Sequence, residues 1–269
     1  MFDLPSLTAG QYSLAFNMFS FTIASMLATF VFLLVAQGRV APKYRISLIV
    51  SALVVGIAAY HYIRILGSWQ GAYALDQATQ MYNSSGKPFN DAYRYVDWLL
   101  TVPLLVVELV LVLALPKEKS GSLITRLSIA AVFMIGLGYP GEIAPADANG
   151  TRALWGFLSS IPFAYILYVL WAELGSAMDR QSARVQKLFS NIRLLLLATW
   201  GFYPIVYMAP FAGISGAGAE IAIQVGYSIA DVAAKAGYGL MIYAIARAKS
   251  EDEGYVVGET MVTSRAATA

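Results

Sequence analysis

Long apolar stretches alternate with short polar ones along the whole chain. The apolar runs cover Tyr12–Ala36, Tyr44–Leu66, Ala92–Leu115, Leu123–Tyr139, Ala153–Leu174, Leu188–Pro210 and Ile221–Ala246. Each is near the ~20 residues that carry an α-helix across a ~30 Å hydrocarbon core. The fourth is short and is expected between its neighbours. None alternates apolar and polar residues for long, which disfavours a β-barrel. The pattern predicts an all-α bundle of seven transmembrane helices, with residues 1–250 as one domain and 251–269 as a disordered tail. The longest polar interruption runs from Gly67 to Asn90. Its Asn83-Ser-Ser-Gly86 is turn chemistry and predicts a short external hairpin between the second and third helices.

Charge orients the bundle. Lys and Arg gather in the first connection (Arg39, Lys43, Arg45), the third (Lys117, Lys119, Arg126), the fifth (Arg180, Arg184, Lys187, Arg193) and after the last helix (Arg247, Lys249). The other connections are poor in them and hold Asp76, Asp91, Glu142, Asp147 and Glu220. The positive side is expected in the cytoplasm, so the N-terminus is external and the C-terminus cytoplasmic. Composition agrees: 58% of residues are hydrophobic and 13% charged, about half the charged share of a soluble domain. The net charge is +2, with no basic cluster to suggest nucleic acid. There is no cysteine, so disulfides and thiol chemistry are excluded, and one histidine, His61, gives no basis for a metal site. The first residues lack a basic signal-peptide region, so the first helix is expected to insert and stay.

Two apolar stretches carry charges where charge is costly. In Ser228-Ile-Ala-Asp231-Val-Ala-Ala-Lys235, a lysine and an aspartate lie mid-helix four residues apart, on one face. An ionisable group there costs ~2.5–3.5 kcal/mol on insertion scales. Two explanations stay open: a structural ion pair, or a lysine whose neutral amine condenses with an aldehyde to a Schiff base. In the third helix, Arg94-Tyr-Val-Asp97-Trp-Leu-Leu-Thr101 continues to Glu108. Asp97, Thr101 and Glu108 share a face, and Glu108 lies about 16 Å deeper than Asp97 toward the cytoplasm. Glu108 fits a protonated reservoir and Asp97 an ionised counterion, although an Arg94–Asp97 pair at the helix entrance is also credible. His61, late in the second helix, is placed to contact Asp97.

Together these motifs resemble the microbial (type I) rhodopsins over nearly all seven helices, and within them the bacterial proton pumps of the proteorhodopsin and xanthorhodopsin group. The resemblance implies all-trans retinal on Lys235 as a protonated Schiff base and Asp231 as counterion. It implies Asp97 as proton acceptor with His61, Thr101 and Arg94 beside it, and Glu108 as proton donor. Trp200-Gly-Phe-Tyr203-Pro204 resembles the sixth-helix pocket signature, and Tyr62, Trp98, Met134, Gly138, Ser159 and Tyr207 match further pocket positions. Gly156 is similar to the glycine of xanthorhodopsin-like members, whose lipid-facing window takes a hydroxylated carotenoid of the lutein or zeaxanthin kind as an antenna. Close helix packing is the alternative explanation for Gly156. The implied function is light-driven outward proton transport, not enzymatic turnover, in the inner cell membrane. The implied partners are lipid, protons and further copies of the chain in a pentamer or hexamer. A photosensory receptor has less need of Glu108, a chloride pump conflicts with Asp97, and a sodium pump would carry Asp and Gln in place of Thr101 and Glu108. A seven-helix transporter without retinal is the remaining alternative.

Overall fold

The computed structural model describes residues 4–90, 92–145, 148–179, 181–213 and 215–257. Asp91, Asp147 and Arg180, used above to orient the connections, and residues 258–269 of the expected tail lie outside the described residues. The seven apolar runs form seven helices long and apolar enough to cross a membrane. They are α1 (Ala9–Ala36), α2 (Pro42–Ala72), α3 (Tyr93–Leu113), α4 (Lys117–Glu142), α5 (Asn149–Glu173), α6 (Ala183–Tyr207) and α7 (Gly216–Asp252). Helix starts follow local chemistry. Thr8 and Gln11 form a capping box on α1, Pro42 opens α2, and the Ser182 hydroxyl accepts from the Val185 N–H at the start of α6.

Successive helices from α1 to α5 pack side by side, and α7 packs against α1, α2, α3 and α6. The bundle is inverted relative to a soluble protein. Phe21, Val31, Phe133, Phe157 and Ile205 point outward, whereas Arg94, Asp97, Glu108, Asp231 and Lys235 are buried within. An apolar exterior suits lipid contact, and the buried charges must find partners inside the bundle.

Three expectations change. The fourth helix is not short: α4 runs 26 residues, because polar Lys117–Ser122 joins the helix ahead of its apolar part. It does lie between α3 and α5. The hairpin exists, but its turn is elsewhere. β2 (Tyr73–Asp76) and β3 (Met81–Ser84) are joined by a turn over residues 77–80, and Asn83-Ser84 is strand. The turn is held by Asp76, whose carboxyl accepts from the Ala78 N–H at 2.9 Å and the Thr79 hydroxyl at 2.8 Å. These bonds, Thr79 first, hold the Asp76 carboxyl below its usual range. Gln80 closes the turn at φ 57°. A two-residue strand, β1 (Leu7–Thr8), pairs with β3 to complete a three-stranded antiparallel sheet in the order β1-β3-β2. Finally, the expected loose tail is placed as far as residue 257. Glu251 and Asp252 are still helical, Glu253 accepts from Lys43 at 2.8 Å and Tyr44 at 2.5 Å, and the Tyr255 hydroxyl donates to the Gly38 carbonyl at 3.2 Å. The bundle thus has a sheet end and a C-terminal end.

Candidate functional site

α7 is regular to Asp231 and then widens into a π-helical turn, Val232–Gly237, that contains Lys235. Single π-helical turns concentrate at functional positions. Asp231 and Lys235 still share a face, and Lys235 Nζ donates to Asp231 at 2.7 Å. The same nitrogen is 3.1 Å from the Asp97 carboxyl of α3. Three further groups donate to Asp231: the Tyr62 hydroxyl at 2.8 Å, the Tyr203 hydroxyl at 2.5 Å and Trp98 Nε1 at 3.3 Å. Four helices therefore meet on one carboxylate, and a buried charge requires this kind of satisfaction.

Asp97 is held differently. Apart from the lysine contact, its carboxyl oxygens make no hydrogen bond among the described residues. His61 Nδ1 stands 3.7 Å away and also lies 3.0 Å from the Ile57 carbonyl. The Thr101 hydroxyl donates to the Asp97 backbone carbonyl at 2.8 Å, so it steadies the helix turn and does not touch the carboxyl. Arg94, one turn toward the sheet end, donates to Gln224 Oε1 at 2.6 Å. Glu108, three turns the other way, is fully buried and accepts from Ser51 of α2.

A partly open cavity is lined in part by Lys235. Trp98, Met134, Gly138, Gly156, Ser159, Trp200, Tyr203, Pro204 and Tyr207 line it. Tyr62 does not line it and reaches the site through Asp231. Ser159 donates to the Met134 carbonyl at 2.7 Å, which fixes α5 to α4 at the wall. The ring of Tyr207 crosses Gly156, where a Cβ would lie 2.9 Å from Tyr207 Cε1. Close packing therefore accounts for this glycine, whatever else it admits. Sequence reasoning missed the wall residues Tyr95, Phe163 and Tyr227, the Trp98 bond to Asp231 and the Ser51 bond to Glu108. Helical spacing from Trp98 to Tyr95 was the available signal for one of them; Ser51 had none.

A lysine in the lining of an apolar cavity, in contact with two carboxylates, now bears on the family. Residues 14–249 match the family described as bacteriorhodopsin-like protein. The chain belongs to the bacteriorhodopsin-like family. This rhodopsin is 33% identical over 232 residues to a green-light absorbing proteorhodopsin of Gamma-proteobacterium EBAC31A08, with 85% of each chain covered. Among solved structures it resembles xanthorhodopsin, described as a light-driven ion pump with dual chromophore, with TM-score 0.90, 63% identity, and 94% and 100% of the two chains covered. It also resembles a thermophilic rhodopsin, with TM-score 0.89, 55% identity, and 93% and 99% covered. It is a multi-pass protein of the cell membrane. The family implies a retinal chromophore, and the cavity fits one. Its walls are aromatic and apolar, as a flat polyene requires, and its single amine stands where an aldehyde end would reach.

Proposed function

We propose that this rhodopsin is a light-driven pump that moves protons outward, with the sheet end of the bundle outside and the C-terminal end in the cytoplasm. One observation carries the reading. Lys235 Nζ lies between Asp231 and Asp97, while Glu108 is buried about three turns along α3 toward the C-terminal end. Retinal, held through Lys235, supplies a light-driven change of shape at that nitrogen. The chain's own residues do the rest. Asp231, fixed by Tyr62, Tyr203 and Trp98, anchors Lys235 Nζ. Asp97 takes the proton from that nitrogen, with His61 beside it and Thr101 holding its turn of helix. Arg94 lies on the outward side of Asp97. Glu108 returns a proton to the nitrogen from the cytoplasmic side. Direction follows from the asymmetry of acceptor outside and donor inside. The activity is ion translocation, not turnover of a substrate.

Illuminated cells are expected to acidify an unbuffered medium, and a protonophore to abolish the signal. Asp97→Asn should remove it; acidification that persists in this variant contradicts the acceptor role. Lys235→Ala should give no visible absorption band with retinal, and a band that survives would remove the lysine from the site. A signalling rhodopsin is the second reading; the buried Glu108 with its Ser51 partner favours transport.

The proposal extends to a hydroxylated carotenoid lying against Gly156, supported by the place of Gly156 in the lining of the partly open cavity and by the likeness to xanthorhodopsin, a pump with a dual chromophore. Added carotenoid should contribute its own bands to the excitation spectrum of the retinal response. Their absence in the wild-type protein rejects the antenna.

A further inference from the structure

α5 does not stay α-helical to its end. Its last turn, Val169–Glu173, is π-helical. The Leu174 N–H bonds to the Val169 carbonyl at 3.0 Å, one residue further back than an α-helix would place it. The Leu170 carbonyl accepts from Arg193 Nη1 of α6 at 3.3 Å. The guanidinium lies against two rings, 4.9 Å from the centre of Phe189 and 5.2 Å from that of Trp171. Trp171 is exposed on the outer surface of the bundle, and Arg193 is half-buried beside it.

Arg193 is a permanent cation inside a membrane-spanning helix. Such a charge is costly unless a partner offsets it. Arg126, Arg152 and Arg184 each have a carboxylate partner, in Glu173, Glu142 and Glu251. Among the described residues no carboxylate pairs with Arg193, and its buried Nε has no hydrogen-bond partner. Its place suggests where the missing charge comes from. Helical side chains lean toward the helix N-terminus, and α6 starts at the C-terminal end of the bundle, where Ser182 meets Asp252. Arg193 therefore reaches back toward that end. Its guanidinium stands beside Phe189, the second residue of the apolar run of α6, and beside Gly175, just past the apolar run of α5. Both sequences turn polar there, as helices do where hydrocarbon meets headgroups, and a tryptophan suits that level. A Cβ on Gly175 would lie 3.9 Å from Nη1, so the glycine leaves that side of the fork without a neighbouring side chain.

We propose that Arg193 binds the phosphate of an anionic phospholipid, in the leaflet at the C-terminal end and in the seam between α5 and α6. The planar guanidinium fork matches phosphate oxygens. The Leu170 carbonyl and the two rings fix the fork in place. The lipid's charge is the counter-ion that the chain does not provide. Tyr168 and Leu197, exposed further along the two helices toward the middle of the membrane, offer its acyl chains an apolar surface.

The test uses the full chain with retinal in detergent, titrated with phosphatidylglycerol or phosphatidylcholine, with bound lipid counted by native mass spectrometry. The wild type should retain phosphatidylglycerol in preference to phosphatidylcholine, and inorganic phosphate at the same concentration should not displace it. Arg193→Gln should weaken the binding of phosphatidylglycerol by ~10-fold or more, the scale of one lost hydrogen bond to a charged group. Arg126→Gln, which alters an arginine already paired with Glu173, should leave it unchanged. Gly175→Asp keeps Arg193 but sets a carboxylate beside it, and should weaken binding to a similar degree; it decides the matter if Arg193→Gln does not fold. Wild-type affinity in either Arg193→Gln or Gly175→Asp overturns the inference. So does an equal loss in Arg126→Gln, which would make the attraction a general one of surface charge. Displacement by inorganic phosphate would assign the site to a free anion and overturn the lipid.

Discussion

Glu108 is buried among apolar side chains, and the only hydrogen bond its carboxyl makes among the described residues comes from Ser51. Glu108→Gln is expected to slow recovery of the proton on the Lys235 nitrogen by ~10²-fold or more, read by flash photolysis. Unchanged recovery would remove Glu108 from the supply route. Ser51→Ala leaves the buried carboxyl bare, at a cost of ~1–3 kcal/mol. The recovery rate should then shift in its dependence on pH, although Glu108 itself remains. A pH profile identical to wild type would leave Ser51 a packing residue only. The charged residues of the site were legible in the sequence because charge in an apolar helix is conspicuous. Their neutral partners were not. Ser51, Gln224 and the indole of Trp98 are ordinary residues whose roles depend on which helix they face.

Between helices, the cavity wall depends on two glycines that give way to Tyr207. A Cβ at Gly141 would collide with the Tyr207 hydroxyl and lie 3.0 Å from Trp155 Cβ. Tyr207 cannot easily retreat, since its hydroxyl donates to the Arg152 carbonyl at 2.7 Å and its ring lies under the Arg152 guanidinium. Gly141→Ala should therefore destabilise the fold by ~1–3 kcal/mol through overpacking, seen as a lower denaturation midpoint in detergent and weaker retinal uptake. A wild-type midpoint would show that the wall can repack. The sheet yields a pH prediction. The Asp76 carboxyl is held below its usual range by Thr79 and Ala78, so its contribution is present above the unfolded value near ~3.9 and lost as pH falls through the lower folded value. Hydrogen exchange over residues 73–84, corrected for intrinsic rates, should accelerate in that acid window, and Asp76→Ala should exchange fast at neutral pH as well. A loop that the variant leaves protected would free Asp76 from this role. The hairpin's existence was legible from its polar length. Its turn was not, because Asn83 and Ser84 favour turns locally and are overruled by pairing with Tyr73 and Ala74. β1, only two residues long, has no periodicity to read.

Across the molecule, all seven helices were legible because each must bury its backbone in hydrocarbon and so must be long and apolar. The C-terminal end was not, because short polar residues read as loose tail wherever tertiary partners are unknown. There α7 and the residues after it tie the bundle together. Arg184 and Arg247 both donate to Glu251 at 2.6 Å, Ser182 donates to Asp252 at 2.6 Å, and the Ala41 N–H donates to Ser250 at 2.9 Å. These contacts are unequal in worth. Arg184 and Glu251 are exposed, and such pairs contribute ~0–1 kcal/mol. Lys249 is buried, and its Nζ donates to the Leu113 carbonyl at 2.8 Å and to Gln181 Oε1 at 3.2 Å. Leu113 ends α3 just before Ala114 takes a left-handed φ of 49°, so the ammonium caps a helix terminus whose dipole favours a cation. A hydrogen bond to a charged group contributes ~1.5–3 kcal/mol. Lys249→Met keeps the chain's bulk and removes that cap. It should lower the thermal midpoint of the detergent-solubilised protein clearly, whereas Arg184→Ala should leave it close to wild type. Equal midpoints in the two variants would mean that α7 is fastened to α3 by apolar packing alone.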